Sequence, residues 1–270
     1  MTNLTLCGCG WLGQHLVRRL PSEYQVLGTT RSADNAARLS QLQVLPHCYL
    51  LGDDPQALSR TNGASPVILN IPPGARKKPL DPAFVDNMKT LIDAFFAAGS
   101  TYLIFISTTA VYGDQNSTIT EQTARQPVTA SGSAHVEIED YLQQHYANKS
   151  VVIRLAGLIG ADRHPIHFLS GRSLDKGEQV VNLVHEADVC QAILSLLKTP
   201  ITGAALHLCA LKHPKRGHFY NTSAQKKGLE APVFNFDFDT LPASGKRIDA
   251  QHSWKQLGVA PIYADPYDML

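Results

Sequence analysis

Three glycines near the start of the chain have the spacing needed to hold a phosphate group. They occupy the pattern Gly8-x-Gly10-x-x-Gly13, directly after the short apolar run 4–7. Gly8 would allow a tight turn, Gly10 would let backbone N–H groups approach a pyrophosphate at a helix N-terminus, and Gly13 would let that helix pack on a sheet. The pattern predicts a dinucleotide site, and the alternative is a tight turn without a ligand. The predicted binding residues in this turn are Gly8, Gly10, Trp11, Leu12 and Gly13.

The residues that follow the second predicted strand indicate which dinucleotide binds. A site specific for NAD places Asp or Glu about 20 residues along, where the carboxylate accepts from the ribose 2′-hydroxyl. This chain has Thr-Thr-Arg-Ser over 29–32, with Arg31 standing 18 residues after Gly13. Because a guanidinium pairs well with a 2′-phosphate, Arg31 and Ser32 predict NADP in preference to NAD. The competing interpretations are NAD as the cofactor and an exposed arginine at a strand end.

The elements that must position these residues follow a regular alternation. Apolar runs of strand length alternate with segments of helical periodicity from the N-terminus to about residue 160. The predicted strands are 4–7, 24–30, 48–51, 66–71, 102–107 and 151–155, and the predicted helices are 12–20, 33–42, 82–98 and 131–146. This alternation predicts an α/β fold with a doubly wound parallel sheet and right-handed crossovers.

After about residue 160 the alternation loosens. Residues 188–197 and 219–228 have helical periodicity, and 206–208 resembles a strand. We expect residues 1–160 to form an NAD(P)-binding Rossmann domain and 161–270 to form a small C-terminal substrate cap. Within the second segment, about 183–208 is expected to return to the Rossmann sheet.

Composition argues against several classes of protein. The 270 residues carry a formal net charge of +1, with 17% charged and 44% hydrophobic residues. This balance predicts no binding to nucleic acid or to an anionic membrane surface. No apolar stretch approaches the roughly 18 residues of a membrane-spanning helix. Five scattered cysteines and an N-terminus that lacks a basic region predict a cytoplasmic location without a signal peptide.

Five short motifs, taken in order, resemble those of the extended short-chain dehydrogenase/reductases, the NAD-dependent epimerase/dehydratase family. They are the glycine turn 8–13, ISTTAVYG at 106–113, ITE at 119–121, RLAG at 154–157 and VHEAD at 184–188. The GCGWLG opening, the TTR at 29–31 and the GKRI at 245–248 are closer to an atypical YeeZ-like bacterial subgroup. The resemblance covers about residues 3–260. It implies a Rossmann fold, a nicotinamide cofactor and an oxidoreductase or epimerase/dehydratase-like activity.

The chain departs from this family pattern at two places. Cys7 occupies the position of the first glycine in the family's usual GxxGxxG opening. The family also has a Tyr-x-x-x-Lys pair, in which the tyrosine is the general acid/base and the lysine lowers its pKa and binds the nicotinamide ribose. Ser131 and His135 align with that pair. A serine hydroxyl is far too weak an acid near neutral pH to replace a phenol unaided.

Three groups remain as candidates for the proton relay. Thr108 matches the family's active-site serine and could hold a substrate carbonyl or hydroxyl. Tyr112, in the Val-Tyr-Gly turn, is a candidate surrogate acid. His135 shares a helix face with Ser131 and could reach a ribose hydroxyl. The competing interpretation makes Ser131 and His135 structural, with Thr129 or Ser131 as the N-cap of the helix.

Other reactive residue types carry less information. We reject zinc, because Cys7-x-Cys9 lacks a two-residue gap and the pairs His164/His167 and His213/His218 lack suitably spaced partners. The dipeptide 246–247 (Lys-Arg) could face a pocket and favour an anionic substrate, or it could lie in an exposed loop.

Together these patterns predict an NADP-binding enzyme that acts on a small molecule. The alternative, from a different class, is a catalytically inactive NADP-binding sensor or scaffold, which the loss of the tyrosine–lysine pair favours. The helix predicted over 82–98 is apolar around more than half of its circumference, so we also predict a homodimer. The resembled family pairs this helix and the next one across a four-helix interface.

Overall fold

The computed structural model describes residues 2–74 and 79–270. The chain divides into two compact units. The first unit comprises Met1–Gly113, Arg125–Arg154 and Ala192–Leu206, and the second comprises Asp114–Ala124, Leu155–Gln191 and His207–Leu270.

Strands and helices alternate along the described residues. The strands are β1 (Thr2–Cys7), β2 (Tyr24–Thr30), β3 (Leu45–Cys48), β4 (Val67–Leu69), β5 (Leu103–Thr108), β6 (Thr118–Ile119), β7 (Ser150–Leu155), β8 (Gly157–Ile159), β9 (Ser173–Leu174), β10 (Leu183–His185), β11 (Ala205–Leu208), β12 (Val233–Phe234) and β13 (Arg247–Ile248). The helices are α1 (Trp11–Val17), α2 (Ala33–Gln41), α3 (Gln56–Asn62), α4 (Phe84–Ala97), α5 (Ala130–Tyr146), α6 (Ile166–Leu169), α7 (Glu186–Lys198), α8 (Arg216–Lys226) and α9 (Gln251–Leu257). Short 3-10 helices cover Thr109–Tyr112, Ala147–Lys149 and Pro266–Met269.

Seven strands form one parallel sheet in the order β11-β7-β5-β4-β1-β2-β3. The chain runs outward from β1 through β2 to β3, then returns to place β4 on the other side of β1. This reversal confirms the predicted doubly wound α/β fold. It also makes the carboxyl ends of β1 and β4 the topological switch point, where ligands bind in such folds.

One core of the first unit lies between the sheet and helices α4 and α5. Because α4 carries apolar residues at helical spacing, one broad face packs inward. The fully buried members of that face are Met88, Leu91, Ile92 and Phe95. They belong to one cluster with sheet residues such as Leu69 and Phe105 and with Ile138 of α5. Strand and helix packing therefore fixes the ends of the strands that carry the candidate site.

The second unit contains short parallel strand pairs and a separate core. The pairs are β8 with β10, β9 with β12, and β6 with β13. Its core includes Ile159, Leu183, Phe219 and Ala224. No helix in the described parts of the chain has both the length and the apolar character needed to cross a bilayer.

Most predicted elements are confirmed with shifts of a few residues at their ends. The strand predicted at 48–51 is wrong in position, since β3 covers Leu45–Cys48 and pairs with β2 in that register. As an edge strand it is half-exposed, so its apolar pattern is weak. The strand predicted at 66–71 is shorter than expected because the chain turns away after Leu69. Helices α3 and α9, each short, were not expected from periodicity.

Candidate cofactor and active site

The glycine turn is locked against the neighbouring strand. Gly8 has φ +81°, in the left-handed region that favours glycine, and a Cβ there would lie 2.3 Å from the Asn70 carbonyl oxygen. A Cβ at Gly13 would lie 2.9 Å from Cδ2 of Leu6, so glycine lets α1 approach β1 closely. Gly8 is therefore needed for the tight turn and Gly13 for the close packing of helix on strand, as in the dinucleotide-binding glycine motif.

Gly10 differs, because no residue that the structure describes fills the space beside it. Among those residues, a Cβ at Gly10 would meet only the Gly8 carbonyl oxygen, at 4.0 Å, and Gly10 is exposed at the N-cap of α1 without a side-chain cap. An open backbone surface at this point fits the approach of a pyrophosphate. The ring of Trp11 is half-buried and meets His15 edge-on, while the side chain of Leu12 is buried in the core. Leu12 is therefore placed to contact a cofactor through its backbone only.

Asn70 is a positioning residue that the sequence analysis missed. It follows β4, and its backbone N–H donates to the Cys7 carbonyl at 2.8 Å. Its side-chain amide donates to the Gly8 carbonyl at 3.1 Å. The available signal was a polar residue directly after a buried strand, at the sheet edge where ligands bind. Asn70 holds the two sides of the switch point together.

The end of β2 supports the turn from its other side. The Gly8 N–H donates to Oγ1 of Thr29 at 2.8 Å, and the Asn35 amide donates to Oγ1 of Thr30 at 2.9 Å. The hydroxyl of Ser32 caps α2 by accepting from the Asn35 N–H at 3.3 Å. Arg31 between them is exposed, and within residues 2–74 and 79–270 no side chain pairs with its guanidinium. The cation is thus available beside the glycine turn.

Thr108 ends β5 and begins the 3-10 helix Thr109–Tyr112. Its Oγ1 accepts from the Ala110 N–H at 3.1 Å, and the residue is half-buried. Accepting that bond leaves the hydroxyl hydrogen for another acceptor. The predicted substrate-holding group therefore stands at the carboxyl end of a central strand, where such groups function in this fold.

Tyr112 lies in a buried polar network. It is fully buried, and its hydroxyl accepts from Nη1 of Arg154 at 2.5 Å. The Arg154 guanidinium also pairs with Glu139, with Nη2 at 2.7 Å from Oε2, and the Ser107 hydroxyl donates to the same carboxylate at 2.6 Å. Glu139 escaped the sequence analysis because a glutamate within a helix resembles a solvated one. The role of Tyr112 as an acid stays a prediction, and these contacts favour a structural one.

His135 is buried within helix α5 and bound to its backbone. Nδ1 donates to the Ser131 carbonyl at 2.7 Å, and the ring stacks on Phe105 with centroids 5.8 Å apart. Burial lowers the pKa of His135, although Glu139 and the Ser131 carbonyl act in the opposite direction, so the ring is neutral near pH 7. The N-cap of α5 is Thr129, whose hydroxyl accepts from the Gly132 N–H at 3.1 Å. That confirms one of the two capping alternatives.

Comparison with known proteins identifies the family. The model of the NAD dependent epimerase/dehydratase family matches residues 6–209. The chain belongs to this family. It is also 36% identical to "Protein YeeZ" of Escherichia coli strain K12 over 278 aligned positions, which cover 100% of this chain and 99% of the relative.

Solved structures support the same fold. A functionally unknown conserved protein from Silicibacter pomeroyi DSS has a TM-score of 0.80 at 25% identity, covering 100% of this chain and 96% of that one. UDP-glucuronic acid 4-epimerase from Bacillus cereus, in complex with NAD, has a TM-score of 0.80 at 17% identity, covering 99% of this chain and 96% of that one. Family membership implies a nicotinamide dinucleotide cofactor, which fits the open surface at Gly10.

Two cysteines border the candidate site without being reactive. Cys7 and Cys9 are buried, and burial raises the pKa of Cys9 to about 12 and that of Cys7 further. Both thiols are therefore protonated near neutral pH. Cys7 packs in the core at the position where the family usually has its first glycine.

Proposed function

We propose that this chain is an NADP(H)-dependent oxidoreductase or epimerase/dehydratase-like enzyme that acts on a small molecule. One observation carries the cofactor assignment: Arg31 is an exposed cation without a partner among the described residues, directly after the strand whose Thr29 holds the glycine turn. An acid at this position would favour NAD, whereas a guanidinium favours a 2′-phosphate.

The residues that would hold the cofactor come from three strand ends. The backbone of Gly8, Gly10, Trp11, Leu12 and Gly13 would face the pyrophosphate. Arg31 would pair with the 2′-phosphate, and Ser32 would contribute its backbone because its hydroxyl caps α2. Asn70 would keep the glycine turn in place. When bound, the nicotinamide would supply hydride transfer to or from a substrate carbon.

The side chains that we propose to face the substrate are poor general acids. The Thr108 hydroxyl would hold a substrate carbonyl or hydroxyl. Ser131 replaces the family's tyrosine, and its hydroxyl does not lose a proton near neutral pH. His135 is neutral and donates through Nδ1, which leaves Nε2 as its proton acceptor. Proton transfer would therefore depend on Thr108 with His135, on Tyr112, or on a group of the substrate.

The same geometry gives a second candidate function, an NADP-binding sensor or scaffold without catalysis. His135 is 6% exposed and its Nδ1 is bound to the helix backbone, so the ring resembles a core residue more than a ribose ligand. Measurable turnover that depends on Thr108 would reject this candidate.

We further propose that residues 161–270 cap the substrate and that the protein is cytoplasmic. All five cysteines are free, and Cys48 is exposed, which supports a reducing compartment.

Calorimetry with NADP(H) and NAD(H) tests the cofactor assignment. A charged contact to the 2′-phosphate favours NADP(H) by about 10- to 150-fold. Arg31→Ala should remove most of this preference and leave NAD(H) affinity unchanged. Arg60→Ala, which removes an exposed arginine on α3, is the matched control and should retain the preference. Equal affinities of the unmodified protein for the two cofactors would overturn the assignment.

A further inference from the structure

The proposed cofactor site must hold two phosphate groups that lie on one ribose ring. In NADP the 5′-phosphate belongs to the pyrophosphate and the 2′-phosphate is carried by the same adenosine ribose, so covalent bonds fix their separation. The backbone of the glycine turn would take the first group and Arg31 the second. Selectivity for the 2′-phosphate therefore requires a fixed distance between the turn and the backbone that carries Arg31.

The backbone that carries Arg31 lies just beyond the part of β2 that the turn binds. The Gly8 N–H donates to Oγ1 of Thr29 at 2.8 Å, and the Cys9 N–H donates to the Thr29 carbonyl at 3.0 Å. Thr29 is two residues before Arg31, and residues 31–34 are all exposed. Because burial does not hold this exposed segment, a polar side chain is needed to fix it relative to the turn.

Asn35, in the first turn of α2, makes this connection. Its side-chain amide donates to Oγ1 of Thr30 at 2.9 Å and, at 3.5 Å, to the Cys9 carbonyl. The position of Cys9 decides which way the amide points, since a carbonyl oxygen can only accept. The Asn35 backbone N–H donates to Oγ of Ser32 at 3.3 Å. Asn35 thus binds the residue on each side of Arg31 and also the residue between the first two glycines of the turn.

The two ends of this connection are themselves held in place. Nε2 of Gln14, on α1, donates to Oδ1 of Asn35 at 3.2 Å, so both polar atoms of the half-buried Asn35 amide are hydrogen-bonded. The Cys9 side chain is buried and lies against β2 at Gly28, where an added Cβ would come within 3.3 Å of Cys9 Cβ. The bonded amide therefore has one orientation, and it joins α1, the glycine turn and the end of β2.

We infer that Asn35 is a positioning residue for cofactor selectivity, which holds Arg31 at the distance from the glycine turn that the two phosphates of one ribose require. This inference rests on the proposed NADP(H) site and names the side chain that pre-organises it. Pre-organisation raises affinity because binding then removes less conformational freedom from the protein. Without the Asn35 amide, Arg31 would remain a cation but would no longer be held opposite the 2′-phosphate of a ligand that is bound at the turn.

Calorimetry of the full-length protein with three nucleotides tests the inference. Adenosine 2′,5′-bisphosphate carries both phosphates, whereas adenosine 5′-monophosphate and adenosine 2′-monophosphate carry one each. The unmodified protein should bind the bisphosphate about ten-fold more tightly than the 5′-monophosphate. Asn35→Leu and Asn35→Ala both remove the amide and keep the backbone N–H that Ser32 caps, and each should reduce this ratio to about two-fold. Their dissociation constants for the 2′-monophosphate should change less than about two-fold, because one phosphate imposes no distance.

Two further variants separate positioning from charge and from folding. In an Arg31→Ala background, Asn35→Leu should leave the ratio unchanged, since no cation remains to be positioned. Gln41→Leu changes an exposed amide at the other end of α2 and is the control, which should keep the ratio of the unmodified protein. A ratio retained in both Asn35 variants, or an equal loss of affinity for all three nucleotides, would overturn the role of Asn35 and leave the cofactor assignment standing. Equal affinity of the unmodified protein for the bisphosphate and the 5′-monophosphate would overturn both.

Discussion

At the residue scale, Glu139 stabilises the first unit by compensating a buried cation. It is 3% exposed and accepts from Arg154, Ser107 and Arg125. Glu139→Leu would leave the buried Arg154 guanidinium without its counter-ion, so we expect the free energy of unfolding to fall by about 3–5 kcal/mol. Urea denaturation measures this change.

Two further variants test this explanation. Asp140 is the other partner of Arg125, and its side chain is 58% exposed. Asp140→Asn should therefore lower the free energy of unfolding by less than about 1 kcal/mol. The double variant Glu139→Leu/Arg154→Met should recover part of the loss, since no buried charge remains. A double variant as unstable as the sum of its single changes would contradict the explanation.

His164 gives the protein a stability that depends on pH. Its side chain is 1% exposed and packs beside Phe219. Nδ1 accepts from the Ile166 N–H, and Nε2 has no hydrogen-bond partner in the part of the chain that the structure describes. Burial, with smaller effects from Lys227 and His167, lowers the pKa of His164 to about 4. The pKa of His164 in the folded protein lies below the unfolded value of about 6.5. The contribution of neutral His164 to the free energy of unfolding is therefore fully present above pH 6.5 and is lost as the pH falls towards 4.

We therefore expect that lowering the pH from 8 to 5 reduces the free energy of unfolding by about 2 kcal/mol through His164. His164→Asn keeps an acceptor for the Ile166 N–H and should lose this contribution, so its stability should fall less over the same range. His252→Asn, an exposed histidine on α9, is the control and should behave like the unmodified protein. Parallel pH profiles for His164→Asn and the unmodified protein would disprove the assignment.

At the scale of elements, helix α5 carries the departure from the family. With Ser131 in place of tyrosine, the unmodified protein should bind NADPH but reduce generic aldehydes and ketones very slowly, because general acid catalysis contributes about 10²–10⁴-fold. Ser131→Tyr/His135→Lys should produce weak carbonyl reductase activity, followed by the loss of NADPH absorbance. Turnover of a true substrate should depend on Thr108 and on one of Tyr112 or His135.

The control moves the same pair along the helix. Ser133→Tyr/Glu137→Lys keeps the i, i+4 spacing on another face and should produce no activity. If the unmodified protein reduces simple carbonyls rapidly, and Thr108→Ala, Tyr112→Phe and His135→Ala leave the rate unchanged, then the active site has been assigned to the wrong residues.

The sequence predicted long elements better than short ones. Helix α5 is 17 residues long, and strand β5 is a continuous apolar run, so each leaves a pattern in the local sequence. The strand pair β6–β13 has only two residues per strand, and its partners are distant in the chain, so no local pattern indicates it. The same limit explains the candidate site. The glycine turn is a local motif, whereas the Asn70 amide contacts Gly8 across 62 positions.

At the scale of the whole molecule, the packing of α4 leaves less apolar surface for a homodimer than the sequence predicts. The prediction counted apolar residues around the helix, but Phe84, Met88, Leu91, Ile92 and Phe95 are all buried within the chain itself. What remains is smaller: Val85 and Phe96 are half-buried, and Phe96 stacks on Tyr146 with centroids 4.1 Å apart. The homodimer stays a proposal that rests on this reduced surface and on family resemblance.

We expect light scattering to show a dimer at micromolar concentration, in which α4 and α5 meet the same helices of a second copy. Val85 is half-buried at the edge of the α4 face that packs on the core. Val85→Glu would place a charge at this edge and should shift the protein to monomers that circular dichroism shows to be folded, because an unpaired carboxylate is costly to bury in an interface. Val128→Glu is the matched control: Val128 is 66% exposed, precedes α5 and should leave the dimer intact. A monomeric mass for the unmodified protein over a wide concentration range would refute the proposal. Equal dissociation of both variants would show that charge, and not the α4 surface, separates the copies.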